Sequence, residues 1–540
     1  MERTAPSSVN YDPDAVLPLA IEGRARRRKF YASNGQSFSP ASSNIIRIDV
    51  NADSMLDVRH SYIHMKIDHT FGVAAEQMYW DLGHPMIKRL RIESAGVILE
   101  DIQSYNELVG SILFPCQIPS QSMGGDKALT GVGWTLDTRF ASPAVGALAI
   151  TDVNVGYSSQ VPSAFSVAAG YIADTAKIAS GMANYVGNYS AQNQFYFLGN
   201  FADTENEGGA SVAGAGVANS TTNCFKTGDS AYFSFPLVSG WLNMDKYIPL
   251  VLMNAGFTIE IELEDPMKIG AYNAVDAAAT YSVSEITYDA HLIDLERSFY
   301  DRLKSVQQSS GGVLQLAGQT YRHYINQIPA ASSGEYTLNI PARVKSIKSI
   351  FFKCLNTADK TDQTKFSISS SVHLNVEEYQ FRVGSVVYPP TPVKCGFLQP
   401  AVNGTYNLGV CRSARAGVNR SECYVELQKA LGYFGDSMNA SMLTPSTYGV
   451  CAELLSAVND NTTSNLTASN CVSFTPFGLD FETFPREALE SGLDTASRSL
   501  QTTLTLKLRQ VTVNNTDVDV FVVADALFYI NADGTASVSV

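Results

Sequence analysis

Three histidines in the first part of the chain are the first residues whose type and spacing suggest chemistry. His60, His64 and His69 could supply imidazole ligands to a metal ion. The residues around them alternate between apolar and polar, which predicts a β strand, so His60 and His64 share one face and His69 lies on the other. No cysteine or paired carboxylate completes a ligand set. We therefore expect neither a metal site nor another cofactor.

Two carboxylates, Asp480 and Glu482, alternate on a predicted strand and could form the acid and base of a glycosidase. The simpler interpretation is a pair of strand side chains that face solvent. The sequence contains no Gly-x-x-x-x-Gly-Lys-Ser/Thr loop, no Gly-x-Ser-x-Gly elbow and no His-Glu-x-x-His pair. Residues 131–133 and the glycines near Gly208 lack the strand-to-helix context of a phosphate-binding loop. We therefore expect that the protein is not an enzyme.

A concentrated basic cluster lies near the N-terminus, in Arg24, Arg26, Arg27, Arg28 and Lys29. The segment that contains it has proline and serine and neither a helical nor a strand period, which predicts an extended arm. Clustered cations bind phosphates by releasing counterions, so a weak contact with a genome is one interpretation. A solvated arm or a contact with a neighbouring subunit is the other.

Composition limits the class of protein. Of 540 residues, 45% are hydrophobic and only 17% are charged, which indicates a globular chain. The net charge of −14 argues against a protein whose whole surface binds nucleic acid. The eight cysteines form no Cys-x-x-Cys pair, so we expect reduced, buried thiols. We also expect no signal peptide and no membrane span, since no apolar stretch reaches about 18 residues.

A pattern between residues 90 and 113 occurs twice in the chain. Residues 91–98 are followed by 104–108, and residues 382–388 are followed, after an insertion, by 423–427. Each copy predicts a strand, a turn marked by glycine, a second short strand and a helix that opens on Tyr-x-Glu-Leu. Two further matches come in the same order, residues 239–242 and 257–263 with 491–493 and 503–508, and residues 289–293 with 525–530. Together they indicate a β-rich unit duplicated in tandem.

The domain organisation follows from this repeat and from a flexible seam at residues 309–312. The predicted parts are an N-terminal arm over residues 1–40, a first unit over 41–305 with a long loop insertion over about 120–230, and a second unit over 313–540. Strands with period two and one short helix per unit fit two tandem antiparallel jelly rolls. The predicted class is thus all-β, with two eight-stranded jelly rolls, short helices and long surface loops.

The chain resembles the double-jelly-roll major capsid proteins of viruses, particularly those of virophages and polinton-like viruses. Four segments carry the resemblance: residues 34–40 before the first strand, residues 340–347 at the start of the second unit, residues 379–392, and the ending from Ser491 to Gly534. These strings are structural rather than catalytic. The resemblance covers the chain from about residue 30 to its end.

The resemblance implies a structural role in an icosahedral virion that is assembled inside the host cell. Three copies would form a homotrimeric capsomer with a pseudo-hexagonal outline, and capsomers would tile a shell that encloses the genome. The implied partners are neighbouring capsomers, penton proteins and minor capsid proteins. The loop insertion would point outward, and the arm with Arg24 to Lys29 would lie on the inner, genome-facing side.

A carbohydrate-binding jelly-roll protein, such as a lectin, is the main alternative function. It would need a groove lined with aromatic side chains, and 26 tyrosines and 26 phenylalanines are enough to form one. This alternative explains neither the duplication nor the lack of a secretion signal.

Overall fold

The computed structural model describes both halves of the chain. The described residues are 23–72, 78–80, 84–113, 116, 230–244, 246–272, 275–332, 334–361, 363, 368, 371–372, 374, 376–395, 421–432, 472–473, 476–483, 491–496, 501–508 and 515–540. The predicted loop insertion of about residues 120–230 falls outside this part of the chain apart from Ser230, and so do residues 1–22 of the predicted arm.

The first half builds one six-stranded and one four-stranded antiparallel sheet from its described residues. Its strands are β1 (Gly23–Tyr31), β2 (Ser37–Phe38), β3 (Ile45–Val50), β4 (Met55–Thr70), β5 (Met78–Trp80), β6 (Ile87–Ser94), β7 (Val97–Gln103), β8 (Ser230–Phe235), β9 (Ile248–Pro249), β10 (Phe257–Leu263), β11 (Gly270–Tyr272) and β12 (Thr280–Leu295). One sheet has the order β1-β12-β4-β8, with β2 on β12 and β9 on β4, and the other has the order β3-β10-β6-β7. Strands β5 and β11 pair separately.

The second half repeats this arrangement. Its strands are β13 (Val313–Ile328), β14 (Gly334–Asn339), β15 (Ile347–Asn356), β16 (Ser371–Val372), β17 (Val376–Val383), β18 (Val386–Lys394), β19 (Val472–Ser473), β20 (Phe477–Asp480), β21 (Thr502–Leu508), β22 (Thr516–Asn531) and β23 (Ala536–Ser539). The sheets have the orders β13-β22-β15-β20, with β23 added on β22, and β14-β21-β17-β18. Strands β16 and β19 form the separate pair.

The matching strand orders confirm the predicted fold class of two tandem antiparallel jelly rolls. The repeated sequence pattern corresponds to the hairpin β6–β7 in the first half and β17–β18 in the second. Each hairpin is followed by a helix, α1 (Tyr105–Leu108) with its π turn (Val109–Leu113) in the first half and α3 (Ser421–Ala430) in the second. Helix α2 (Arg297–Ser309) lies between the two halves along the chain.

Alternating burial explains why these segments form sheets. In β3 the side chains of Ile46, Ile48 and Val50 are buried while those between them are exposed. Period-two alternation places one face of a sheet in a core and leaves the other outside. In the second half the aromatic rings of Phe352, Phe477 and Tyr379 pack together, with the first two stacked 4.7 Å apart.

The predicted arm is wrong over residues 23–31. Strand β1 pairs in unbroken antiparallel register with β12, from Gly23 opposite Leu295 to Tyr31 opposite Thr287. The strand was missed because Phe30 is its only buried residue, so it has no apolar alternation. An edge strand supported by backbone hydrogen bonds needs no such pattern.

The two halves are joined at close range around Gly240. A Cβ atom at Gly240 would lie 1.7 Å from the Gln319 carbonyl oxygen of the second half. The neighbouring Trp241 ring meets Phe528 edge-on, with 5.2 Å between ring centroids. Backbone therefore touches backbone at this point, and the site excludes any side chain.

The substitution Gly240→Ala should destabilise the chain by about 3 kcal/mol, because overpacking against a backbone atom forces the halves apart. Chemical denaturation followed by tryptophan fluorescence measures the effect. The control is Gly96→Ala, where nothing lies within 4 Å of the added Cβ and only the positive φ of 81° opposes the change. Equal denaturation midpoints for the two variants would contradict a tight junction at Gly240.

Candidate assembly surfaces

The predicted basic cluster lies on β1, at the edge of its sheet, and its members point to both faces. Arg26 forms an ion pair with Asp294 at 2.9 Å, and the Arg28 guanidinium lies 4.7 Å from the centre of the Phe30 ring. Arg27 and Lys29 both approach the carboxylate of Asp289 on the opposite face. Arg24 stands opposite Asp294 on β12. The cluster is thus part of a sheet, and much of its charge is matched by carboxylates of the same chain.

One face of the β1-β12-β4-β8 sheet points away from the core of the first half and carries several of these cations. We call it the basic face and define it by Arg27, Lys29, Tyr62, His64, Lys66 and Tyr232. The guanidinium of Arg27 lies 5.3 Å from the centre of the Tyr62 ring, and His64 stacks on Tyr232. Lys66 binds Asp68 at 3.0 Å.

The electrostatics of the basic face follow from these neighbours. The hydrogen bond to Asp289 raises the pKa of Arg27, so this side chain keeps its charge. Partial burial, followed by the nearby Lys29, lowers the pKa of His64, which favours its neutral form. Burial raises the pKa of Tyr62. The face therefore combines cations with the carboxylates of Asp68 and Asp289, which they contact, and with aromatic rings.

The corresponding face of the second half is covered by the first half. Lys353 on β15 has no exposed side-chain surface and forms an ion pair at 3.1 Å with Glu107 of helix α1. His323 on β13 lies 3.3 Å from Ser104 of the first half and 2.9 Å from Asp519 of its own sheet. Asp519 also accepts a hydrogen bond from Lys360 at 2.8 Å. Burial acts to raise the pKa of Asp519, but the hydrogen bond with His323 and the charges of Lys360 and Lys353 together outweigh it and keep this pKa below its ordinary value.

A second buried carboxylate fixes the neighbouring loop of the first half. Glu100 on β7 accepts hydrogen bonds from the backbone N–H of Gly240 at 3.0 Å and of Trp241 at 3.3 Å, and from the Ser239 hydroxyl. Burial raises the pKa of Glu100, although its hydrogen bonds, including one from Thr320 of the second half, act in the opposite direction. The carboxylate thus holds the Gly240 loop where it touches β13.

The histidines considered as metal ligands have separate environments. His60 lies 2.7 Å from Asp57, and His64 lies 2.7 Å from Ser234. His69 is buried, packs on Phe71 at 4.4 Å, and burial lowers its pKa to about 4. Within the described residues, no group of three histidine, cysteine or carboxylate side chains is placed to hold a metal ion.

The carboxylates considered as a glycosidase pair are tied to neighbouring groups. Asp480 accepts a hydrogen bond from the Glu482 backbone N–H at 3.1 Å, and Glu482 binds Lys348 at 2.7 Å. Lys348 also approaches Asp525 at 3.5 Å, which places the ammonium between two carboxylates. Burial raises the pKa of Asp480. This ion cluster braces β15 against the end of β20 and β22.

Other sequence expectations concern thiols and membranes. Among the described residues, Cys116, Cys354, Cys395 and Cys423 are buried thiols outside any disulfide, as expected. None of the helices in the described ranges has the length and hydropathy needed to cross a bilayer.

The residues that join the halves were not predicted from sequence, although one signal was present. Glu107 and Lys353 are 246 positions apart in the chain, and no local pattern pairs them. The repeated Tyr-x-Glu-Leu string did mark Glu107 and its counterpart Glu426 as equivalent positions. The repeat shows which positions correspond in the two halves, but it does not show which residue each of them contacts.

Comparison with known proteins identifies the fold. No family model and no curated protein sequence matches the chain. Among solved structures, VP54 of PBCV-1, fitted into a reconstruction of the virophage Sputnik, aligns with a TM-score of 0.51 at 8% identity over 98% of this chain and 99% of that chain. The virophage Sputnik structure aligns at 0.49 with 10% identity over 100% and 93%, and the mavirus major capsid protein at 0.45 with 9% identity over 100% and 95%. The chain has the double-jelly-roll capsid fold. The resemblance noted in the sequence is therefore confirmed for the fold.

The substitution Glu107→Gln should destabilise the chain by about 3 kcal/mol, because it removes the carboxylate that pairs directly with the buried Lys353 ammonium and leaves only Asp519, its neighbour on β22, near that charge. Changing Lys353→Met as well should recover part of that loss, since no buried cation then remains. Thermal and urea unfolding of the single and double variants measure both effects.

The matched control for this prediction is Glu262→Gln, which breaks the 2.8 Å pair with the half-exposed Lys88. An exposed pair of this kind contributes under about 1 kcal/mol. If Glu107→Gln were as mild as this control, the pair between the halves would not be a structural constraint.

Proposed function

We propose that this protein is the structural major capsid protein of an icosahedral virus and that it has no catalytic role. The observation that carries the proposal is the pair of jelly rolls with matching strand orders that the described residues of the two halves form. The fold shared with VP54 of PBCV-1 over 98% of the chain supports it. In this role the two halves, meeting at residues 309–312, act as two similar building blocks within one polypeptide.

The unit of assembly in this proposal is a homotrimer. Three chains supply six similar β sandwiches, and a ring of six gives a pseudo-hexagonal outline that can tile a closed shell. Neighbouring capsomers, penton proteins and minor capsid proteins are the partners that such a shell requires. The location that follows is the virion.

A contact of Arg24, Arg26, Arg27, Arg28 and Lys29 with the genome stays a prediction. Deleting residues 1–29 does not test it, because the deletion removes most of β1 and exposes the edge of β12. Substituting Arg24 and Arg28 with glutamine leaves β1 paired and avoids the ion pairs made by Arg26 and Arg27. A smaller amount of packaged nucleic acid per particle, with unchanged shells, is the result expected from a genome contact.

The purified chain should form a stable species of three times 58.4 kDa, roughly 175 kDa, in solution. Light scattering coupled to gel filtration measures the mass, and electron microscopy should show a hexagonal outline for that species. A chain that stays monomeric at high concentration would contradict the proposal. Binding to a glycan array by such a monomer would favour the carbohydrate-binding alternative.

A further inference from the structure

We propose that Cys395 and Cys423 form a reversible disulfide that ties helix α3 to the β17–β18 hairpin. The chemical partner is a small-molecule disulfide, such as oxidised glutathione, which exchanges with the two thiols. The inference goes beyond the proposed function and does not depend on it. It follows from comparing how the hairpin and the helix are connected in each half of the chain.

The two halves connect the repeated hairpin to its helix in different ways. In the first half, β7 and α1 are separated by Ser104 alone. In the second half, β18 and α3 are separated by residues 395–420. The short backbone connection that fixes the helix to the hairpin in the first half is therefore missing from the second.

A cysteine lies at each end of the longer connection. Cys395 is the first residue after β18, and Cys423 belongs to the first turn of α3. Cys423 directly precedes the repeated Tyr-x-Glu-Leu string, as Ser104 does in the first half. The two cysteines thus lie where the first half is closed by peptide bonds.

The two thiols contact each other inside the second half. Their side chains form a hydrogen bond, and neither cysteine has exposed surface. The backbone N–H of Cys395 donates to the Glu377 carbonyl oxygen of β17 at 2.8 Å, which fixes this residue on the hairpin. A disulfide has a sulfur–sulfur distance of about 2 Å, so thiols that are already in contact need only a small adjustment to form one.

The rest of α3 is held in place on the opposite side of the pair. A Cβ atom at Gly478 of β20 would lie only 3.1 Å from the Leu427 side chain, so the helix packs closely on this strand. Leu427 itself is buried. The helix therefore keeps Cys423 beside the hairpin even before any bond forms.

Burial decides when the pair can react. Burial, followed by the hydrogen bond with Cys423, raises the pKa of Cys395 well above its usual value, so this thiol stays protonated in the folded chain. Exchange with a disulfide requires a thiolate, so the reaction begins when the first turn of α3 opens and exposes Cys423 to water. The rate of this local opening limits the reaction.

The exchange takes place in two steps that conserve atoms and electrons. The Cys423 thiolate attacks one sulfur of oxidised glutathione, forms a mixed disulfide and releases one glutathione thiolate. The Cys395 thiolate then attacks the Cys423 sulfur, forms the bond between the two residues and releases the second glutathione. The protein thiols lose two electrons, the glutathione disulfide gains them, and the two thiol protons pass through solvent to the released glutathione.

The disulfide would give the second half a covalent connection like that of the first. It would close a loop over residues 396–422, which removes freedom from the unfolded chain and stabilises the fold. Reducing compartments keep such thiols open, whereas disulfides persist outside the cell. In the capsid protein proposed above, the bond would therefore form after the particle leaves the host cell. That timing rests on the proposed function, whereas the thiol pair does not.

Peptide mapping of the full-length chain tests the pairing. Protein purified under reducing conditions is brought to equilibrium with oxidised glutathione and digested without reduction. Mass spectrometry should find the peptides of Cys395 and Cys423 joined, with the mass of two hydrogen atoms lost. Free thiols at both positions, a glutathione adduct that stays on Cys423, or a bond from either residue to Cys411 would each overturn the inference.

Thermal unfolding tests whether the bond holds α3 to the hairpin. Oxidation should raise the thermal midpoint of the original chain by roughly 5 °C, and dithiothreitol should reverse the change. The variants Cys395→Ala and Cys423→Ala should each lose this response. A disulfide that forms without moving the midpoint would also overturn the inference, because the bond would then not brace the fold.

The matched control is Cys354→Ala. Cys354 is equally buried, and within the described residues it contacts no other cysteine. This variant should respond to oxidation as the original chain does, whatever its starting midpoint. Loss of the response in Cys354→Ala as well would contradict the proposed pair.

The outcomes of this test and of the test of the proposed function are separate. A chain that stays monomeric but forms the disulfide would contradict the capsid proposal alone. A trimeric chain in which the two thiols never join would contradict the disulfide alone.

Discussion

The packing of the two halves against each other depends on one buried cation. The ammonium of Lys353 has no exposed surface, and a buried charge without a partner costs several kcal/mol. Its counter-charge, Glu107, comes from the other half of the chain, while the Ile368 carbonyl accepts a hydrogen bond from it at 3.0 Å. If the two halves slid or separated, the Lys353 ammonium would lose its contact with Glu107. The ion pair therefore favours one alignment of the halves.

The surroundings of the pair reinforce that register. Glu100 anchors the loop that ends in Gly240, and Gly240 allows the loop backbone to touch β13. On the far side of this junction, Asn254 contacts the turn between β22 and β23. Its side-chain amide donates a hydrogen bond to the carbonyl oxygen of Asp533, and its backbone N–H donates one to the carbonyl oxygen of Gly534. Apolar contact alone has no preferred direction, whereas these polar contacts each have a single geometry. They make the joint between the halves specific.

Sequence reasoning succeeded where the signal was periodic or repeated. The alternation in β3 and β4 identified strands, and the repeated hairpin and helix identified the duplication. It failed for β1, because an edge strand held by backbone hydrogen bonds has no apolar period and its arginines suggested a solvated arm. It could not find the Glu107–Lys353 pair, because contacts between residues far apart in the chain depend on how the completed sheets pack.

Two copies of so acidic a chain can associate only if the attraction between them acts at short range. A net charge of −14 makes copies repel one another at long range, which limits random contacts. Attraction between copies then has to come from contacts at close range, such as hydrogen bonds, ion pairs and apolar burial. Because the outer sheet face in the second half is already filled by the first, each chain has one such face to offer within its described residues. A contact between two different surfaces fixes the orientation of one copy relative to the next. Repeating it gives a closed ring when a whole number of these rotations adds up to 360°.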